Sequence, residues 1–404
     1  MSSNAPILIT AGGTGGHVYP GLAVADALRA QNIPVVWMGT RKGLEAKVIP
    51  AAGIDIAWLE VSGVRGKGLG AKLLAPFRII KAMWQSLDIM REYKPAAVLG
   101  MGGFVSGPGG FVAALIGIPV IIHEQNAYPG TTNSILSRFV LETLEGFNDT
   151  FPEKIDAVPV GNPVRPEIAN IAPPEERLAG REVGFRLLVV GGSLGAQALN
   201  EIVPRAVARI EDKLSVQIVH QAGEETFEIA QVSYEGMGVQ AHVVPFIEDM
   251  AGAYEWADLI VCRAGALTVA EVSAAGLASV LVPYPYAIDD HQTANAMYLA
   301  KEGAAILSPQ KDLTAESLAQ VIEALMQQPE QLLAMSLKAR SLAKPDATDK
   351  VAAVCADIAG YPYELATDMN KKLQAENNVD MPAMKDDIAM SPEEIMKIAK
   401  GGDL

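Results

Sequence analysis

The sequence predicts an α/β protein made of two Rossmann-like domains with parallel sheets, and three observations predict it. Short apolar runs of β character alternate with helical patterns along most of the chain. Three glycine-rich turns each follow such a run, and the first and third lie about 180 residues apart, heading two similar halves. The turns read Ala11-Gly12-Gly13-Thr14-Gly15-Gly16-His17, Gly100-Met101-Gly102-Gly103-Phe104 and Gly191-Gly192-Ser193-Leu194-Gly195-Ala196. A strand that ends in glycines and opens a helix presents backbone N–H groups at the positive end of the helix dipole, which suits a phosphate.

In the first half, strands are expected at 7–10, 35–38, 96–100 and 120–122, with a helix over 21–30. After the second strand a dinucleotide fold would place an acid for the ribose diol, but Met38-Gly39-Thr40-Arg41-Lys42 stands there. Arg41 and Lys42 could instead take a 2′-phosphate, so an NADP-dependent oxidoreductase is a rival reading. From Pro95 to Ile122 the chain carries no charge, a length that could cross a bilayer. Its repeated glycines and prolines favour a buried strand, a glycine loop, a helix near 109–116 and a second strand.

In the second half, strands are expected at 187–190, 216–220, 242–245, 259–262 and 279–282, with helices over 198–210 and 267–275. Parallel sheets buried on both faces collect ligands beyond the carboxyl ends of their strands, where all three turns fall. The run 261–271 reads as strand, small-residue turn and helix, with Glu271 placed in the first turn. There it could hold vicinal hydroxyls or merely complement the helix dipole. The polar run Asp289-Asp290-His291-Gln292-Thr293-Ala294-Asn295 follows the next strand and suits sugar hydroxyls.

The domain boundary is expected at Val160-Gly161-Asn162-Pro163-Val164-Arg165-Pro166, and a second break at Lys344-Pro345. The expected division is 1–163, 164–344, a helix within 345–359, and an acidic appendage over 360–404. A chain of 404 residues exceeds one ordinary core, and a composition half apolar and one-fifth charged is that of a soluble globular protein. The net charge, 32 − 47 = −15, argues against nucleic acid as a partner. Cys262 and Cys355 provide neither a disulfide framework nor a metal cluster, and no Asp-x-Asp pair ends a strand, so neither a metal nor another cofactor is expected. The start has no basic region ahead of its apolar stretch, so no secretion signal is expected.

The stretches 11–20, 100–110, His123-Glu124-Gln125-Asn126, 161–165, 191–196, 262–271 and 289–296 together resemble the MurG family of peptidoglycan glycosyltransferases. The resemblance runs in collinear order over about residues 5–358 and does not reach the tail. It implies a GT-B fold, two Rossmann-like domains facing across a cleft, the first taking a lipid acceptor and the second UDP-GlcNAc, with the helix of 345–359 returning to the first domain. It implies inverting transfer of N-acetylglucosamine to the MurNAc 4-hydroxyl of undecaprenyl-diphospho-MurNAc-pentapeptide (lipid I to lipid II), giving a β-1,4 linkage by single displacement.

Carried over residue by residue, the resemblance assigns Glu271 to the ribose hydroxyls and the backbone near Ile247 to uracil. Ser193, its helix N-terminus and Arg165 fall to the diphosphate. Asn126 and Gln292 take the GlcNAc hydroxyls, with Ala266, Leu267, Thr268, Val269 and Ala270 in the same donor site. Thr14, Gly15 and Gly16 close on the donor from the opposite domain. A poor hydroxyl nucleophile needs a base, and His17 is the candidate as the one ionisable side chain in the loop 10–18, although a cap or phosphate donor is its plainer role.

Between Glu60 and Asp88 there is no acid, while Arg65, Lys67, Lys72, Arg78 and Lys81 interleave with apolar residues including Phe77, Ile80 and Trp84. In so acidic a chain this reversal suggests contact with an anionic membrane through Lys72, Phe77, Arg78, Ile80, Lys81 and Trp84. An amphipathic core helix is the alternative. With a lipid acceptor, the expected location is peripheral, on the cytoplasmic face of the plasma (inner) membrane, with a cell-wall synthesis complex as a partner. A soluble GT-B UDP-GlcNAc epimerase or a non-catalytic membrane scaffold are the remaining rivals.

Overall fold

Two all-parallel sheets organise the chain. The first contains β1 (Ile7–Thr10), β2 (Val35–Gly39), β3 (Asp55–Trp58), β4 (Ala97–Gly100), β5 (Val120–Glu124), β6 (Glu142–Glu145) and β7 (Val158–Pro159), in the order β3-β2-β1-β4-β5-β6-β7. The second contains β8 (Phe185–Val190), β9 (Val216–Gln221), β10 (His242–Val244), β11 (Leu259–Cys262), β12 (Ala278–Leu281) and β13 (Ala305–Leu307), in the order β10-β9-β8-β11-β12-β13. The computed structural model describes residues 4–60, 75–181, 184–192, 195–287 and 290–365.

Parallel strands need crossover connections, and the intervening helices cover both faces of each sheet. This is why β1, β4, β8 and β11 read as near-continuous apolar runs: Ile7, Leu8, Ile9, Val98, Leu99, Leu187, Leu188, Ile260 and Val261 are all fully buried. In each sheet the order reverses once, between β1 and β4 and between β8 and β11. Such a reversal opens a crevice beyond the carboxyl ends of the two strands. All three glycine turns, and the Arg263-Ala264-Gly265 turn after β11, flank these two crevices.

The last helix among the described residues, Ala347–Ala359, leaves the second sheet and returns to the first. It buries Val351, Ala352, Cys355 and Ala356 in one cluster with Ile7, Ile9, Val24 and Leu99. Thr348 Oγ1 donates to the Val164 carbonyl (3.0 Å) and Tyr361 OH to that of Ala5 (2.6 Å). Through this helix both sheets share one compact unit that runs to Tyr363.

Several sequence expectations need correction. The first helix spans Gly15–Ala30 instead of 21–30, so His17 sits on a helix and not in a loop. The charge-free segment contains no long loop: helix Gly103–Leu115 runs straight through Gly107, Pro108, Gly109 and Gly110. These glycines allow close packing, since a Cβ on Gly109 would collide with Met38 and one on Gly110 would lie 3.0 Å from Leu136. His220, near the end of β9, bridges the Tyr234 hydroxyl and Asn200 Oδ1 (3.0 Å each), fully buried. Strands β3, β6, β7 and β13 were not foreseen. The expectations on Ser193, Asp289, Lys72, Arg65, Lys67 and the tail beyond residue 365 lie outside the described residues.

The first two glycine turns touch directly. Gly103 has φ +78°, and a Cβ there would lie 2.6 Å from the Gly12 carbonyl oxygen. Gly103→Ala should therefore cost about 1–3 kcal/mol, from steric overlap and a left-handed backbone. It should lower the urea midpoint at constant m-value. Gly236→Ala, in open space, should not lower it.

Candidate active site

The rim of the first crevice is built by the turn after β1. Thr14 is extended (φ −120°, ψ 159°) and precedes the helix without a side-chain cap. The first-turn N–H groups of Gly15 and Gly16 have no acceptor among the described residues, so the positive helix end is open to an anion. Gly13 differs from the expectation that the whole turn faces a ligand. Its N–H donates to Glu45 Oε2 (3.1 Å), while Glu45 Oε1 accepts from Thr40 N (3.0 Å) and Thr40 Oγ1 (2.8 Å). Glu45 is fully buried and acts as an internal brace for the turn.

His17 is the third residue of this helix. Its Nδ1 lies 2.7 Å from Gln125 Oε1, and its Nε2 has no partner among the described residues. The second glycine turn lies against the ring: a Cβ on Gly102 would be 3.1 Å from His17 Cε1. Near the end of β5, His123 Nε2 donates to the Gly161 carbonyl (2.8 Å), and complete burial pulls the His123 pKa down to about 4. Glu124 is buried and shapes the loop that follows, accepting from Asn126 N, Asn126 Nδ2, Gly130 N and Asn133 Nδ2 at 2.9–3.1 Å.

The second crevice holds Glu271. It is the sixth residue of helix Ala266–Ala275 and sits in the second turn, not the first, so simple dipole complementarity does not explain it. Ala266, Leu267, Thr268, Val269 and Ala270 form the preceding turns. The carboxylate is buried, with Oε2 accepting from Tyr254 OH (2.9 Å) and Oε1 from Arg165 Nη2 (3.2 Å). Burial raises the Glu271 pKa, and Arg165 and the Tyr254 hydrogen bond oppose that rise. Burial, with Glu271 alongside, pushes the Tyr254 phenol well above its ordinary pKa, so Tyr254 remains a donor. A carboxylate offers about four lone-pair sites; two are taken here, which leaves the number a vicinal diol requires.

Arg165 also joins the crevices, its guanidinium lying 5.7 Å from the ring centre of Tyr19, one turn along from Gly15. A second junction lies nearby. Buried Asn295 accepts from Ala127 N (2.8 Å) and donates to Asn126 Oδ1 (3.3 Å) and to the Ala264 carbonyl (3.2 Å). Asn126 thus has both ends of its amide engaged, with one Nδ2 proton to spare. Gln292 Oε1 accepts from Tyr284 N (2.8 Å), which leaves its NH2 as the group for a ligand. Ile247 N donates to Gln221 Oε1 (3.3 Å), so only its carbonyl remains to read a base.

Of the sequence candidates, the structure joins Arg165 to Glu271, and Asn126 to the helix that carries Gln292. Glu45, Tyr254, Gln125 and Asn295 are additions. Gln125 and Asn295 stood inside runs that the sequence singled out, whereas nothing local marked Tyr254 or Glu45. Among the described residues no group of three or more His, Cys, Asp or Glu side chains is placed to hold a metal ion.

Comparison with known proteins gives a consistent result. Residues 7–144 match the glycosyltransferase family 28 N-terminal domain and residues 186–351 its C-terminal domain. The UDP-N-acetylglucosamine--N-acetylmuramyl-(pentapeptide) pyrophosphoryl-undecaprenol N-acetylglucosamine transferase of Methylococcus capsulatus is 56% identical over 354 residues, 88% of this chain and 99% of that protein. That of Dechloromonas aromatica is 52% identical over 353 residues, covering 87% and 99%. The crystal structure of Acinetobacter baumannii MurG superimposes with a TM-score of 0.73 at 43% identity, over 86% of this chain and 98% of that one. A UDP-GlcNAc 2-epimerase from Neisseria meningitidis shares the fold alone, with 13% identity and a TM-score of 0.60 over 86% and 98% of the two chains.

If Glu271 binds hydroxyls as a carboxylate, affinity for uridine diphosphate should be lost as pH falls through its raised pKa. Arg165→Met removes the opposing charge, raises that pKa further and moves the loss to higher pH. Glu271→Gln should bind roughly 10–100-fold more weakly and show no such acid limb. Calorimetric titration with uridine diphosphate across pH measures both effects.

Proposed function

The chain belongs to glycosyltransferase family 28, and from that membership and its two facing crevices we propose how it works. It is a UDP-GlcNAc-dependent N-acetylglucosaminyltransferase that converts lipid I to lipid II in peptidoglycan synthesis. The observation that supports the mechanism is the approach of two crevice rims: Tyr19 on the first glycine helix meets Arg165, which is hydrogen-bonded to Glu271. The division at 163/164 then separates an acceptor lobe from a donor lobe, and helix Ala347–Ala359 ties the chain back to the acceptor lobe.

In this reading Glu271 takes the ribose diol, and the Ile247 carbonyl faces uracil. Residues 266–270, Asn126 and Gln292 surround the sugar. The departing diphosphate gains negative charge, and oriented donors stabilise it: the turn 191–196 with Ser193, Arg165, and the open N–H groups of Gly15 and Gly16 beside Thr14. The acceptor hydroxyl attacks from the opposite lobe with inversion and gives its proton to His17 Nε2. The NADP reading is dropped, since Arg41 stacks over Trp58 (4.8 Å) and the family assigns a glycosyl donor.

We also propose that helix Ala75–Tyr93 rests on a membrane. Among the described residues no helix is long and apolar enough to cross one. This helix buries Ala82, Ser86, Ile89 and Met90 on one side. On the other it exposes Phe77 (72%), Ile80 (52%) and Trp84 (62%), spaced i, i+3, i+7. So large an apolar stripe facing solvent is expensive unless something covers it. The basic surface is smaller than the sequence suggested, because Lys81 pairs with Glu60 at 2.5 Å. Arg78 has no ion pair among the described residues. In this reading the surface meets the cytoplasmic face of the plasma membrane, where the lipid acceptor and a cell-wall synthesis complex would be its partners.

Single-turnover transfer from labelled UDP-GlcNAc to a short-chain lipid I analogue tests the base. His17→Ala should slow it by ~10²–10⁴-fold, and a near-wild-type rate would remove His17 from the role. Flotation with anionic liposomes tests the membrane surface. Phe77→Ser with Trp84→Ser and Arg78→Glu should abolish co-flotation, while transfer to the short-chain analogue persists.

A further inference from the structure

His17 does not stand alone; it ends a chain of hydrogen bonds whose directions can be worked out from its far end. The Gly161 carbonyl can only accept, so His123 Nε2, 2.8 Å away, must carry a proton. His123 is fully buried and its pKa is depressed to about 4, so the ring is neutral and its Nδ1 bears a lone pair. Gln125 Nε2 lies 3.0 Å from that lone pair and 3.1 Å from the His123 carbonyl. Both neighbours accept, so the Gln125 amide must turn its NH2 towards them and its oxygen away. That oxygen lies 2.7 Å from His17 Nδ1, which therefore must donate.

We propose that His123 and Gln125 are positioning residues that lock His17 as the Nδ1–H tautomer, leaving the Nε2 lone pair as the proton acceptor. The inference rests on the reading of His17 as the base. It adds that basicity at the correct nitrogen is imposed by a neutral relay, since an isolated neutral imidazole side chain prefers its proton on Nε2. A neutral amide suits the purpose. It orients the ring without the strong stabilisation of imidazolium that a carboxylate in its place would bring. Gln125 is itself held, being 1% exposed, with its carbonyl accepting from Asn162 Nδ2 (2.9 Å). The relay thus ends on Gly161 and Asn162, in the segment that joins the lobes and also carries Arg165. Gly161 has φ +91°, and a Cβ there would fall 2.5 Å from Lys344 Cβ, so the anchor tolerates no side chain.

Nitrogen-15 NMR of histidine-labelled full-length protein reads the tautomer directly, with His17→Ala used to assign the signal. The wild type should show Nδ1 protonated and Nε2 bare at neutral pH. In Gln125→Leu the signal should move towards the Nε2–H form, kcat should fall roughly 10–100-fold, and the KM for UDP-GlcNAc should stay within about twofold. A wild-type His17 with its proton on Nε2 overturns the proposal without any variant having to fold. If His17→Ala is inactive but Gln125→Leu keeps both the wild-type tautomer and kcat, the base survives and the lock is overturned. If His17→Ala transfers at the wild-type rate, the base falls, and with it the purpose of the lock.

Discussion

A buried carboxylate sets the terms for the whole site. Glu271 is 7% exposed in its side chain, and an isolated ion so placed would cost several kcal/mol or lose its charge. Its compensation does not come from its own helix. Tyr254 reaches it from helix Met250–Trp256, and Arg165 from the segment between the two sheets. The environment of Glu271 is therefore electrostatically complete only when the inter-sheet segment is in place. That couples the chemistry of one crevice to the geometry of the other.

The same segment serves both sides of the cleft. Gly161 and Asn162 hold the His123–Gln125 pair behind His17, while Arg165, a few residues on, touches Glu271 and Tyr19. Asn295 adds a second junction by bonding Ala127 and Asn126 from helix His291–Ala300. Burial favours satisfying the polar groups here, and the bonds from Gly161, Asn162, Arg165 and Asn295 reach partners far away in the chain. Precision at the reacting atoms then follows from packing that also sustains the fold.

The fold was legible where burial on both sheet faces wrote apolar runs into the chain. β1 and β11 appear with the expected bounds, and the glycine turns mark the two crevices because only glycine tolerates the close approach of Gly103 to Gly12. Elements broke that code where other forces dominated. β6 reads Glu-Thr-Leu-Glu, yet Glu145 is buried and takes N–H bonds from Asp149 and Phe151, a loop partnership that no local pattern announces. Helix Gly103–Leu115 was obscured by glycines and a proline that serve tight packing. In the site, Glu271 and His17 could be singled out by their turns, and Asn126 by the resemblance that the run 123–126 carries. The partners that tie them across the site, Arg165, Gln125 and Asn295, are 106 to 169 positions away in sequence and become visible only in three dimensions.

The measurement that bears most directly on this account is a crystal structure of the protein with intact UDP-GlcNAc. The account predicts both ribose hydroxyls within hydrogen-bond distance of Glu271 and the diphosphate beside Arg165. It also predicts the anomeric carbon facing the His17 side of the cleft. A nucleotide seated along the other edges of the sheets, or one whose ribose leaves the Glu271 carboxylate untouched, would contradict it.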